Sequence, residues 1–109
     1  ICEVPNAAEM LLEACPAYDG FYWIRAHLHY FTRPTLQRCF QQAGFLGFQV
    51  RFEQRYGLLN LAHWLTQGKP QIECPVFDID PAYKEVEDGY RMFTQTRGRS
   101  DAIIVIAKA

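Results

Sequence analysis

HLHYFTRPTLQRCFQQAGF, residues 27–45, carries both ends of a helix in its own letters. Thr32 offers a hydroxyl to cap the first turn. Arg33 and Pro34 occupy that turn, where a missing N–H is harmless, and Gly44 supplies the left-handed conformation that stops it. Between these ends Leu36, Cys39, Phe40 and Ala43 recur at i, i+3, i+4 and i+7, with Gln37, Arg38, Gln41 and Gln42 on the other side. An amphipathic helix of this kind needs an apolar surface to lie on, and the next residues begin one. After Phe45, the residues Phe48, Val50 and Phe52 alternate with Gln49, Arg51 and Glu53, the period of a strand with one buried face. Its polar side suits the edge of a sheet.

Working outward, residues 102–107 are six apolar residues in a row, rich in β-branched side chains, which predicts a strand covered on both faces and therefore interior. Residues 1–5 read as the end of a buried strand that Pro5 cuts off. Asn6 then turns the chain and caps a short helix over 7–14, stopped by Pro16. From Tyr18 to Tyr30 the aromatics Tyr18, Phe21, Tyr22, Trp23 and Tyr30 crowd without clear period, as in a packed loop or lid. Leu58 to Leu65 reads as a short, deeply buried helix ended by Gly68, Lys69 and Pro70. Residues 71–79 read as a connecting loop. Asp80 and Pro81 open a further helix whose stripe is Tyr83, Val86, Tyr90 and Phe93.

The chain has 109 residues, half of them apolar, with eight Phe, six Tyr and two Trp, enough for one domain with a core of its own. A net charge of -1 with scattered basic residues leaves no electrostatic footprint for nucleic acid or an anionic membrane. The longest apolar run is far short of the roughly 20 residues that cross a bilayer. Cys2, Cys15, Cys39 and Cys74 show no C-x-x-C spacing, so a zinc ribbon is a poor reading. Four thiols, Cys39 among them on a buried helix stripe, fit the cytoplasm, although an even number also allows two disulfides.

The approach HLHYFT, the helix, AGF and the strand resemble the late part of class I S-adenosylmethionine-dependent methyltransferases. The likeness extends through EVPN at 3–6, QRYGL at 54–58, WLTQGKP at 64–70 and SDAIIVIA at 100–107. It implies an α/β fold: a partial Rossmann-like methyltransferase sheet of three strands, the last one antiparallel and central, with flanking helices. It further implies methyl transfer from S-adenosylmethionine to a small acceptor, related to sugars or surface polysaccharides. The family's glycine-rich turn and its acidic ribose-binding residue are expected upstream of Ile1, where a missing N-terminal half would lie, so residues 1–109 alone are expected not to hold the cofactor.

Methyl transfer asks a protein to exclude water, align donor and acceptor, and remove a proton from a hydroxyl or amine. His27 matches the family's substrate-facing His, and His29 is a second candidate base. The plainer role for either is a bond to nearby backbone. Two His at this spacing also raise a metal site, but further ligands would have to come from His63 and scattered Cys and acids. Glu3 and Asn6 stand at the carboxyl end of the first strand, where ligands lie in open α/β sheets, with a salt bridge and a helix cap as their plainer roles. Arg55 and Tyr56 match the Q-R-Y step, and Arg55 is a candidate fork for a phosphate or carboxylate. Tyr30 and its neighbours line a pocket or cover the sheet, and Trp64 reads as core. The rival readings are a noncatalytic binding or dimerisation module built on the same fold, and a metal-dependent hydrolase using His27 and His29.

Overall fold

The apolar run from Ala102 to Ala107 (β3) is the middle strand of a three-stranded sheet in the order β1-β3-β2, with β1 Cys2–Pro5 and β2 Phe48–Glu53. β3 runs antiparallel to both neighbours, so β1 and β2 point the same way. The register pairs Cys2 and Val50 with Val105, and Val4 and Phe52 with Ile103, which puts these six side chains on one face. The computed structural model describes residues 1–71 and 80–108.

That face is covered by α3, Arg33–Gln42, whose Leu36 packs on Ile103 and Val105, with Phe40 and Phe48 closing the cluster. Ile103 and Val105 lose all contact with solvent, as a central strand under a helix must. On the opposite face Ile104 and Ile106 are half-buried beside Glu3, Gln49 and Arg51. A second core lies outside the sheet, where Leu11 of α1 (Leu11–Ala14), Cys15, Tyr18 of α2 (Pro16–Tyr22) and Trp64 of α4 (Leu58–Gln67) pack together. The Trp64 and Tyr18 rings meet in a T-shaped contact, centroids 4.9 Å apart, and Trp64 is buried, which makes this tryptophan core. A 3-10 turn at Pro81–Tyr83 leads into α5, Lys84–Thr96.

The α3 boundaries follow the sequence reading. Thr32 caps the helix and forms a reciprocal capping box with Thr35, and Gly44 adopts φ 88° just past its end. Both long strands also fall where their patterns put them. Elsewhere the fold corrects the reading. Asn6 caps no helix: its side chain is spent across the chain, and α1 is a single turn beginning at Leu11. α1 does end just before Pro16, but Pro16 also opens α2 at its first position, so Tyr18, Phe21 and Tyr22 are helical, at i, i+3 and i+4. β1 is half-buried at the sheet's edge instead of fully buried.

Cys39 and Ala43 are exposed; of the expected stripe only Leu36 and Phe40 pack on the sheet. α4 is not deeply buried; only its Trp64 is. Of the expected stripe, Tyr83 in the 3-10 turn and Val86 and Phe93 on α5 are exposed and Tyr90 is half-buried, while the buried residues of α5 are Glu87 and Thr94, for a reason given below. The expected loop at 71–79 lies, apart from Gln71, outside the described residues.

Candidate functional site

The carboxyl end of β1 and the start of β3 form the floor of an open cleft of about 760 Å³. Glu3, Val4 and Pro5 enter from β1, and Asp101 and Ala102 from β3. Tyr18, Phe21 and Tyr22 of α2 make one wall, continued by Ile24, His27 and Tyr30 of the loop that follows. Arg55 and Tyr56, just past β2, close the far rim.

The aromatic wall is locked by its own hydroxyls. Tyr22 Oη donates toward the carbonyls of Asn6 and Asp101, at 2.8 and 3.1 Å, and so ties α2 to the sheet. Tyr30 Oη donates to the Tyr22 carbonyl at 2.5 Å and accepts from Ile24 N at 3.0 Å, closing the loop between α2 and α3. The rings of Tyr22, Trp23 and Tyr30 meet one another at 4.5 to 5.4 Å, and Trp23 Nε1 is held by Asp19. Burial pushes the Tyr18 and Tyr22 phenols well above the ordinary range, so both stay protonated. His27 is exposed at the mouth, its ring edge-on to Tyr30 at 5.8 Å.

The far rim is a turn held from two sides. Asp101 accepts hydrogen bonds from Arg55 N, Tyr56 N and Gln54 Nε2 at 2.9 to 3.1 Å. From α5, Glu87 accepts from Leu58 N at 2.9 Å, and Arg91 donates to the Gln54 carbonyl. This is why α5 turns Glu87 inward in place of an apolar stripe: the turn's unpaired backbone groups need charged partners more than the helix needs burial. A Cβ at Gly57 would overlap the Glu87 carboxylate, so that side chain would have to give up its place at the turn. With the turn fixed, the Arg55 guanidinium forks onto the Glu3 carboxylate, Nε to Oε1 at 2.9 Å and the second nitrogen to Oε2. Glu3 raises the Arg55 pKa further, so the guanidinium stays charged and the fork neutralises it locally.

Two buried carboxyls stand at this end of the sheet, Asp101 in the floor and Glu9 outside the lining. Burial pushes Asp101 up to about 6, against the hydrogen bonds from Arg55 and Tyr56 that pull it down. Glu9, almost wholly buried, is pushed up to about 7 by burial, opposed by the hydrogen bond it accepts from Leu11 N.

The fold therefore brings together Glu3, His27, Tyr30, Arg55 and Tyr56, which are scattered over more than fifty positions of the chain. Asn6 lies beneath the cleft, fully buried, with Nδ2 donating to the Gly98 and Ser100 carbonyls and Oδ1 accepting from Ala8 N. His29 is outside the lining, exposed, with its ring 6.1 Å from Phe31. Sequence reasoning missed Asp101 and Tyr22 as organisers. The signal for Tyr22 was the helical spacing after Pro16, whereas nothing local marks Asp101. Among the described residues no three His, Cys, Asp or Glu side chains converge as a metal site.

The N-terminus of α4 offers no cradle for S-adenosylmethionine. The turn from β2 through Gly57 into α4 resembles a glycine-bearing strand-to-helix turn, but the Glu87 carboxylate already fills the helix N-terminus there. No protein-family model, curated protein or solved structure matches the chain.

Proposed function

We propose that this chain forms the acceptor side of a methyltransferase that takes its methyl group from S-adenosylmethionine. The observation that carries the reading is the sheet order, with the last strand antiparallel between the other two, and a cleft opening at the carboxyl end of β1. A three-stranded sheet with its last strand antiparallel and central is what the resemblance in the late segments implies. In this reading the chain's described cleft serves the acceptor. The aromatic wall excludes water, the Glu3–Arg55 pair orients a small polar molecule, and His27 at the mouth takes the proton that the acceptor hydroxyl loses.

The test is methyl transfer from labelled S-adenosylmethionine by the full product of the encoding gene, over a panel of small hydroxylated acceptors. We expect His27→Ala to lower kcat at least tenfold with little change in acceptor KM. His29→Ala, outside the lining, should leave kcat within about twofold. Absence of transfer to every acceptor overturns the reading.

A second reading, a noncatalytic module that pairs with another chain, is favoured by one observation. β1 is an edge strand, paired on one side by β3 and, among the described residues, bridged on its other side only where Asn6 meets Phe31. Sedimentation showing a dimer that Val4→Pro dissociates would support it, and a monomer at all concentrations would dismiss it.

A further inference from the structure

Arg55, read alone, is a fork for an anionic substrate; in the folded chain its fork is already filled. Glu3 occupies both of the nitrogens it needs for a bidentate grip, and the two side chains remain 42 to 51% exposed at the rim of the cleft. Among the described residues lining the cleft, Arg55 is the only fixed cation, against the carboxylates of Glu3 and Asp101. An anion entering here would meet a guanidinium already neutralised by Glu3, with the Glu3 carboxylate beside it, and could take the bidentate face only by stripping Arg55 from Glu3.

The aromatic wall points the same way. Tyr22 and Tyr30 line the cleft with their hydroxyls turned onto backbone groups, so what this wall adds to the lining is apolar. What the cleft offers is therefore an apolar wall facing a neutral, planar, polar pair. A carboxylate in a bidentate pair keeps acceptor capacity on its outer lone pairs, and a guanidinium keeps further N–H donors. Adjacent hydroxyls on a ring can donate to the one and accept from the other without breaking the pair, while the C–H face of the ring packs on the aromatics.

The geometry points to an uncharged ring bearing adjacent hydroxyls as the ligand of this cleft, with Glu3 acting as a gate that keeps Arg55 from anions. This rests on the proposed acceptor site and deepens it, by assigning Glu3 and Arg55 the choice between neutral and anionic acceptors.

A matched pair of probes tests it on the full chain: phenyl β-glucoside, which is neutral, and phenyl β-glucuronide, which has the same shape with a carboxylate in place of a hydroxymethyl. Binding is read by calorimetry at pH 7.5 and by the shift of the Trp23 indole NMR signal, for the native chain and for Glu3→Gln. We expect the glucoside to bind at least fivefold more tightly than the glucuronide in the native chain, and the preference to reverse in Glu3→Gln, where Arg55 is released. Far-ultraviolet circular dichroism checks that the variant, altered at an exposed rim position, is folded. If Glu3→Gln is unfolded, Arg55→Gln replaces it and should lower glucoside affinity while leaving the glucuronide no better bound. Equal or tighter glucuronide binding in the native chain overturns the inference, as does binding of neither probe, or a preference that the variant leaves unchanged. Glucoside binding by a protein that transfers no methyl group would leave this inference standing while the methyltransferase reading falls.

Discussion

Glu9 and Asp101 are acids where water does not reach, and both hold their protons to higher pH than an exposed carboxyl does. For Glu9 the unfolded chain releases its proton near 4.5 and the folded chain near 7. Between those values only the folded state keeps it, so stability is greatest below the lower value and is lost as pH rises through the upper. Asp101 acts in the same direction over the window from 3.8 to about 6. Above pH 7 an ionised Glu9 costs on the order of 3 kcal/mol. Glu9→Gln, which keeps an oxygen for Leu11 N, is therefore expected to melt above the native chain at pH 8 and to converge with it at pH 4. An equal gap at both pH values would refute this. Asn6 and Tyr22 show what residue-level reading missed: each bonds to backbone far along the chain, Asn6 to residues 98 and 100 and Tyr22 to residue 101. A short polar residue before a helix looks like a cap until its distant partners are known.

Elements whose ends are set by local chemistry were legible. The Thr32–Thr35 capping box is a local device, so Thr32→Ala should cost about 1 kcal/mol and lower the melting temperature by several degrees without altering the cleft. The α4 N-terminus is capped from a distance, by Glu87 at Leu58 N. Gly57→Ala should cost more, about 2 kcal/mol or above, because the new methyl displaces that carboxylate and frees the turn that aims Arg55. Its signature beyond the melting temperature is faster amide exchange at Arg55, Tyr56 and Leu58, which Thr32→Ala should not show. α5 was the element read with its apolar stripe on the wrong side. Its period was right, but the charged pair Glu87 and Arg91 outweighs the apolar stripe in setting which side faces in.

At the scale of the molecule two cores share one scaffold, the sheet cluster around Ile103 and the aromatic cluster around Trp64. The Tyr22 hydroxyl and the Asn6 amide join them, so they should melt together. Ile103→Ala, at a position with no solvent contact, is expected to cost about 2–5 kcal/mol. Near-ultraviolet signal from the aromatic cluster and far-ultraviolet signal from the sheet should then fall at the same lowered temperature; separate transitions would show two independent units. No helix among the described residues is long and apolar enough to cross a membrane. The amino-acid sequence by itself determined the three strands, the central place of the last one, and the ends of α3, because alternation, uninterrupted apolar runs and caps act between neighbours in the chain. Only the tertiary structure decided which side of α5 is buried, that Arg55 is held by Glu3, and that Asp101 braces the rim. Those outcomes depend on charged and polar groups some thirty to fifty residues apart finding one another in a buried turn, where an unpaired backbone group costs more than an exposed apolar side chain.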